Sequence, residues 1–353
     1  MFNLESLVRD NIKRLKPYSS ARKEFSGAAE VFLDANENSF GSPLAQIYNR
    51  YPDPLQMRIK EVTAKRNNIS PSEIFIGNGS DEAIDLLFRI FCRPQTDNIV
   101  ICPPTYGMYE VSASINDVEI RRAKLTSDFQ LDLERIRDTI DRNTKLIFIC
   151  SPNNPTGNLM ERETVLELTK SFDGIVVVDE AYIHFSDEAS LIDEINLFPN
   201  LVVLQTFSKA WGLAGLRVGL AFANREVIEF FNKVKPPYNV CGAAQKLILE
   251  ALSNESQMRA NVAAIIGERL GLMNSLDEFS FVQKVYRTDA NFILVKTDGA
   301  DRIYEFLLDR KIVVRNRNNI ELCEGCLRIT VGTPDENAGL LNALKEYEKS
   351  IVY

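Results

Sequence analysis

The sequence predicts an α/β protein, a mostly parallel sheet covered by helices on both faces, followed by a smaller α+β domain. Three observations carry this expectation. Short apolar runs recur as EIFIG (73–77), NIVICPP (98–104), KLIFICSP (145–152), GIVVVDEAY (174–182) and LVVLQTFSK (201–209). Such uniform runs suit strands buried on both faces. Amphipathic stretches such as GSDEAIDLLFRIF separate them, which is the alternation of a parallel sheet with crossover helices. After about residue 275 the pattern becomes strand, helix, strand, strand, helix.

Taken in order, residues 3–14 read as helix and VFLD (31–34) as a short strand, with ANENSFGSP as loop chemistry after it. The alternating region begins near residue 55, and helical patterns fill roughly 222–275. ANFILVKT (290–297) then reads as strand, DRIYEFLLDRK as helix, IVVRN and CLRITVG as strands, and a last helix starts near 334. The expected organisation is a segment 1–45 packing with the small domain, a large domain over 46–270 and a small C-terminal domain over 271–353.

Composition narrows the function classes. The chain has 353 residues, 45% hydrophobic and 25% charged, with a formal net charge of −8. An acidic balance argues against nucleic acid or an anionic membrane as the main partner, while leaving room for a local basic pocket. No apolar run is long enough to span a bilayer, and MFNLESLVRD lacks the pattern of a secretory signal. Six scattered cysteines suit a reduced, cytoplasmic protein. The single histidine, His184, excludes mechanisms that need two, and reads as structural. Cys323-x-x-Cys326 has no second pair, so it reads as two unlinked thiols, and no metal site is expected.

In an open α/β sheet, ligands bind beyond the carboxyl ends of the strands. The first strand delivers Gly79-Ser80-Asp81, which suits an anion at a helix start; the alternative is a plain N-cap. The second delivers Tyr106, a ring that could stack on a planar group or simply lie half-buried at the surface. The third delivers Asn154 in NNPTG, by itself a turn. The fourth delivers Asp179, with Tyr182 three residues on, and the fifth delivers Ser208 and Lys209, with Arg217 eight residues later. A half-desolvated carboxylate and a lysine at a strand end each need a partner. One cofactor asks for this combination. Pyridoxal 5'-phosphate needs an amine for its aldehyde, a carboxylate for its ring nitrogen, donors for its phenolic oxygen and a cradle for its phosphate. Lys209, Asp179, the pair Asn154 and Tyr182, and Gly79-Ser80-Asp81 with Arg217 fill these roles in turn.

Over essentially its whole length the chain resembles the fold-type I pyridoxal-phosphate aminotransferases. SPNNPTG, VVVDEAY and TFSKAWGLAGLRVG look like that family's asparagine, aspartate and lysine signatures, in the same order. Within it, LKPYSSAR, LDANENSFG, RYPDP, GNGSDEAI, PTYGMY and GCLRITVGTPDEN resemble the histidinol-phosphate aminotransferase subfamily. Ser39 stands where that subfamily often has proline.

The resemblance implies roles. Lys209 would tether the cofactor and shuttle the proton, and Asp179 would pair with the ring nitrogen. Asn154 and Tyr182 would bind the phenolic oxygen, and Tyr106 would stack on the ring. Gly79, Ser80, Asp81, Ser208 and Arg217 would surround the phosphate, with Tyr51 reaching it from the other subunit of a homodimer. Arg328 would grip a substrate carboxylate, that of glutamate or 2-oxoglutarate. Tyr18 and Arg315 fall where the subfamily holds the phosphate of histidinol phosphate, and Asn36 falls among its substrate-binding residues. The implied activity is amino transfer between histidinol phosphate and 2-oxoglutarate, in histidine biosynthesis. An aromatic aminotransferase or a phosphothreonine decarboxylase on the same fold is the alternative, and a non-catalytic cofactor-binding regulator is a more distant one. Read from residues alone, Arg315-Asn316-Arg317 could also be a solvated loop.

Overall fold

The computed structural model describes residues 2–18, 31–46 and 48–351. Its larger unit is built on a sheet of seven strands: β1 (Ile74–Asn78), β2 (Asn98–Ile101), β3 (Glu119–Arg122), β4 (Thr144–Cys150), β5 (Ile175–Asp179), β6 (Leu201–Thr206) and β7 (Val218–Ala223). They lie in the order β1-β7-β6-β5-β4-β2-β3, all parallel except β7, which is antiparallel to both neighbours. The helices are α1 (Leu4–Leu7), α2 (Asp10–Arg14), α3 (Met57–Asn67), α4 (Gly79–Phe91), α5 (Met108–Ile115), α6 (Leu133–Thr139), α7 (Arg162–Ser171), α8 (Arg225–Val234), α9 (Gly242–Ser253) and α10 (Glu255–Asp277).

The near-uniform apolar runs are explained by burial on both sides. Along β5, Val176 and Val178 join one core cluster, while Ile175 and Val177 join the cluster on the opposite face. Strand periodicity of two sends alternate residues to opposite layers, so both sets must be apolar.

The smaller unit is a four-stranded antiparallel sheet, β10-β11-β9-β8, formed by β8 (Val282–Val285), β9 (Phe292–Thr297), β10 (Arg315–Asn316) and β11 (Cys326–Thr330). One face packs on α11 (Ala300–Asp309), α12 (Pro334–Ile351) and the last turns of α10. Leu294 and Cys326, on the other face, join the core of the larger unit. Helix α10 runs through the expected division at residue 270: Met258 and Val262 pack near Tyr182, Leu272 and Leu276 under the small sheet.

Several expectations are corrected. Residues 3–14 form two short helices, broken at Val8 and Arg9. Leu4, Val8 and Ile12 pack with Phe88, Phe91 and Phe231, so this part of the N-terminal segment docks on the larger unit and not on the small one. The backbone N–H of Arg9 donates to the Ile90 carbonyl at 3.0 Å, fixing that dock. VFLD is not a strand; Val31 and Leu33 are largely exposed, and their apolar character is not used for pairing within the described chain. IVVRN contributes only Arg315–Asn316 to its sheet. Strands β3, β7 and β8 were not anticipated. Glu119–Arg122 is charged because β3 is an edge strand, bonded only to β2.

Candidate active site

Because β7 runs against its neighbours, its start lies at the same edge as the ends of β1, β4, β5 and β6. The register pairs Thr206 with Gly219 and Asn78 with Val218. The chain therefore leaves β6, makes one compact loop and returns within hydrogen-bonding distance. Phe207 N–H donates to the Val218 carbonyl, and the N–H groups of Gly212 and Leu213 donate to Lys209 and Phe207, each at 3.0 Å. This loop carries Ser208 and Lys209 at one end and Arg217 at the other.

The elements converge on a cavity lined by Gly79, Ser80, Asp81, Tyr106, Asn154, Asp179, Tyr182, Ser208, Lys209 and Arg217. Every expected cofactor residue except Tyr51 is therefore brought together. Thr206, Cys150 and Ala181 complete the lining.

At one end of the cavity stands the start of α4. Gly79 has φ of +72°, and its N–H donates to the Arg217 carbonyl at 2.7 Å. A side chain there would be strained by that φ and would meet the Arg217 guanidinium at 2.8 Å. The cap residue Asn78 makes no side-chain cap, so the plain N-cap alternative does not describe this helix, and the N–H groups of Ser80 and Asp81 are left for a ligand. Asp81 accepts from the Tyr106 hydroxyl at 3.2 Å and from Arg217 Nη2 at 3.3 Å. A carboxylate repels a phosphate, so Asp81 serves that end through its backbone and by fixing its two neighbours. Arg217 itself adopts φ of +54°, with Nη1 3.5 Å from Ser208 Oγ.

At the end of β5, Asp179 is 3% exposed. Burial pushes its carboxyl up to about 6, against the hydrogen bonds it accepts. Those bonds come from the Tyr109 hydroxyl at 2.8 Å and the Ala181 N–H at 3.1 Å. Tyr109 is the functional residue the sequence reading missed. It is fully buried, stacked on Phe148 at 4.7 Å and edge-on to Tyr106 at 5.6 Å.

Lys209 is open to the cavity and not sealed in the core, with Nζ 5.4 Å from the Tyr182 ring centroid. The surrounding walls and the charge of Arg328 lower its pKa, which favours the neutral, nucleophilic amine. Tyr182 is buried edge-on to Phe292 at 5.1 Å, and burial raises its hydroxyl pKa. Arg328 reaches across from β11 and donates through Nη1 to Asn154 Oδ1, which leaves the Asn154 amide N–H₂ as a donor toward the cavity. Burial and then the charge of Arg317 lower Arg328 to about 10.

The remaining expected residues lie apart. Arg315 is exposed, directly opposite Arg328 in the β10–β11 register. Tyr18 is exposed beyond α2. Residues 19–22, the rest of the LKPYSSAR motif, lie outside the described residues. Asn36 and Tyr51 line a different cavity, where Tyr51 stacks on Tyr238 with centroids 4.5 Å apart. His184 lies in a third cavity, and burial lowers it to about 4, so it is neutral at physiological pH. Cys323 and Cys326 are free thiols, and no group of metal ligands occurs among the described residues.

The donor set fits pyridoxal 5'-phosphate. A buried carboxylate with no salt bridge among the described residues, an open amine and a helix start without a side-chain cap face one cavity. When bound, that group supplies the electron sink for reactions at an amino-acid Cα. The family described as aminotransferase class I and II matches residues 29–344. The chain belongs to that family. Among its relatives, the histidinol-phosphate aminotransferase of Parabacteroides distasonis is 52% identical, over 98% of this chain and 99% of its own. That of Cytophaga hutchinsonii is 51% identical over the same shares. The solved structure of the Sinorhizobium meliloti histidinol-phosphate aminotransferase, in complex with pyridoxal-5'-phosphate, superposes with a TM-score of 0.81 at 24% identity, covering 90% of each chain. That likeness shows the fold of this aminotransferase.

Proposed function

We propose that this aminotransferase uses pyridoxal 5'-phosphate to interconvert histidinol phosphate and 2-oxoglutarate with imidazole-acetol phosphate and glutamate. The observation that carries the substrate is the identity of 51–52% along the full chain to enzymes named for it. The geometry supports it. Arg328 reaches from the small unit to Asn154, which lines the cavity, and has no carboxylate partner among the described residues. Arg315 stands beside it, so an anion larger than one carboxylate is provided for.

In this reading Lys209 tethers the cofactor and moves the proton at the substrate carbon. Asp179, oriented by Tyr109 and Ala181, holds the proton on the ring nitrogen. Asn154 and Tyr182 donate to the phenolic oxygen, and Tyr106 covers the ring. The N–H groups at the start of α4, with Ser208 and Arg217, hold the cofactor phosphate. Residues 46–270 carry these groups, and 271–353 bring the substrate arginines.

The assembly proposed is a homodimer in which Tyr51 reaches the partner's cofactor phosphate, with Tyr18 and Asn36 completing the substrate site. Support comes from the exposed apolar side chains of the segment before α3, among them Leu33, Phe40 and Leu44. A cytoplasmic location is proposed with it: all six cysteines are free, and no described helix is long and apolar enough to cross a membrane.

The test is a coupled assay for glutamate with histidinol phosphate and 2-oxoglutarate as substrates, run beside carbon dioxide release from phosphothreonine. Glutamate formation without carbon dioxide supports the proposal. The reverse pattern assigns the decarboxylase instead.

A further inference from the structure

Arg317 lies in a segment that sequence alone leaves as a solvated loop. Its backbone N–H donates to the Cys326 carbonyl at 2.9 Å, extending the β10–β11 pairing by one residue beyond Asn316–Leu327. With Arg315 opposite Arg328, strand alternation puts Arg315, Arg317, Cys326 and Arg328 on one face. Cys326 on that face is buried in the core of the larger unit, so the face turns toward the cleft between the units.

The Arg317 side chain is half-buried. Its Nε is buried without a hydrogen-bond partner, and Nη1 has the Asn316 carbonyl at 3.5 Å. Arg328 Nε is likewise buried and unpartnered. Among the described residues, none of the three arginines is paired with a carboxylate. The neighbouring thiols cannot serve as counter-charges, because burial pushes Cys323 up to about 12 and Cys326 up to about 11. Three guanidiniums facing one cleft, two with a buried unsatisfied N–H, are costly unless an anion arrives from outside. The cofactor phosphate is not that anion, since its cradle is the start of α4 with Arg217, and none of the three arginines lines the cavity to which that cradle belongs.

The two partner substrates place different anions here. Both must present the Cα–H bond of the amino-bearing carbon to Lys209. Glutamate carries a carboxylate on that carbon; histidinol phosphate carries a CH₂–O–phosphate arm, longer and doubly charged. One guanidinium satisfies a carboxylate with two parallel bonds, whereas a phosphate dianion offers three oxygens and takes more than one.

We infer that Arg317 is a specificity-determining residue, a further guanidinium that with Arg315 and Arg328 holds the phosphate arm of the substrate and plays little part in holding a carboxylate. The inference rests on the proposed function for its substrate, and its test separates the two. Arg317→Gln and Arg317→Lys are compared with the unmutated holoenzyme in three measurements. These are steady-state kinetics with histidinol phosphate, the glutamate half-reaction, and calorimetric binding of inorganic phosphate to holoenzyme, whose cofactor site is already filled. Arg317→Gln should lower kcat/KM for histidinol phosphate by roughly ten- to a hundred-fold, mainly through KM. It should weaken phosphate binding comparably and change the glutamate half-reaction by less than about threefold. Arg317→Lys should recover part of both losses. Equal losses with both substrates at unchanged thermal stability would overturn the inference, as would unchanged phosphate affinity. Should the unmutated enzyme bind phosphate but not turn over histidinol phosphate, the proposed substrate fails, and the phosphate titration still decides the role of Arg317.

Discussion

Asp179 shows at the scale of one residue how the site is prepared at the expense of the fold. Its ordinary pKa is 3.8, and burial raises it to about 6. A raised carboxyl pKa means that the folded chain holds the proton more tightly than the unfolded chain. Stability from this group is therefore present below pH 4 and is lost as pH rises through about 6. Above that, the ionised carboxylate costs up to about 3 kcal/mol in the cofactor-free protein. Asp179→Asn should accordingly stabilise cofactor-free protein by roughly 1–3 kcal/mol at pH 8 in urea unfolding, with no gain near pH 4. The same substitution should slow transamination strongly, because an amide does not hold a proton on the ring nitrogen. Equal stability of the two proteins at both pH values would show that the carboxylate is not desolvated as described.

The element that decides the site's geometry is β7, together with the start of α4 packed over it. A Cβ on Gly219 would sit 2.3 Å from the Gly79 carbonyl carbon and 2.2 Å from the Ser80 nitrogen. Both are backbone atoms of the helix start, so no side chain can swing away. Gly219→Ala should cost about 1–3 kcal/mol by overpacking and weaken cofactor affinity, since the displaced N–H groups are those facing the phosphate. Gly215→Ala, where nothing lies within 4 Å, is the control and should leave cofactor affinity unchanged. Fluorescence titration of cofactor-free protein reads both, and equal affinities would remove β7 from the account. This strand also shows where legibility ended. Five of the six parallel strands were readable because burial on both faces leaves uniform apolar runs. VGLAFA was not, because close approach of α4 demands small residues and a glycine, which read as loop. VFLD failed in the opposite sense, being apolar without pairing in the described chain. Lys209, Asp179 and Asn154 were legible as motifs. Tyr109 was passed over because its role exists only once α5 meets the end of β5.

At the scale of the whole molecule, the segment before α3 is the least self-sufficient part of the chain. Leu33 is 83% exposed and Phe40 fully so, and Tyr51 stacks on Tyr238 away from the cofactor cavity of its own protomer. The proposed dimer covers these groups and carries Tyr51 into the partner's site. Tyr51→Ala and Lys209→Ala should each be nearly inactive alone. Mixed and reassembled, they should recover part of the activity, because one hybrid dimer contains one intact site. Absence of rescue, with subunit exchange verified by mass, would place Tyr51 outside the shared site.

The central claim is that one cavity sets the Lys209 amine at the amino-bearing carbon of the substrate while a guanidinium cluster from the small unit selects a phosphorylated arm. The most direct measurement is the absorbance change of holoenzyme in single turnover with histidinol phosphate, with histidinol, and with glutamate. The account predicts rapid conversion with histidinol phosphate and glutamate, and a kcat/KM for histidinol lower by at least about a hundred-fold, as expected when several charge-assisted bonds are lost together. Equal conversion with and without the phosphate, or conversion by glutamate alone, would contradict it.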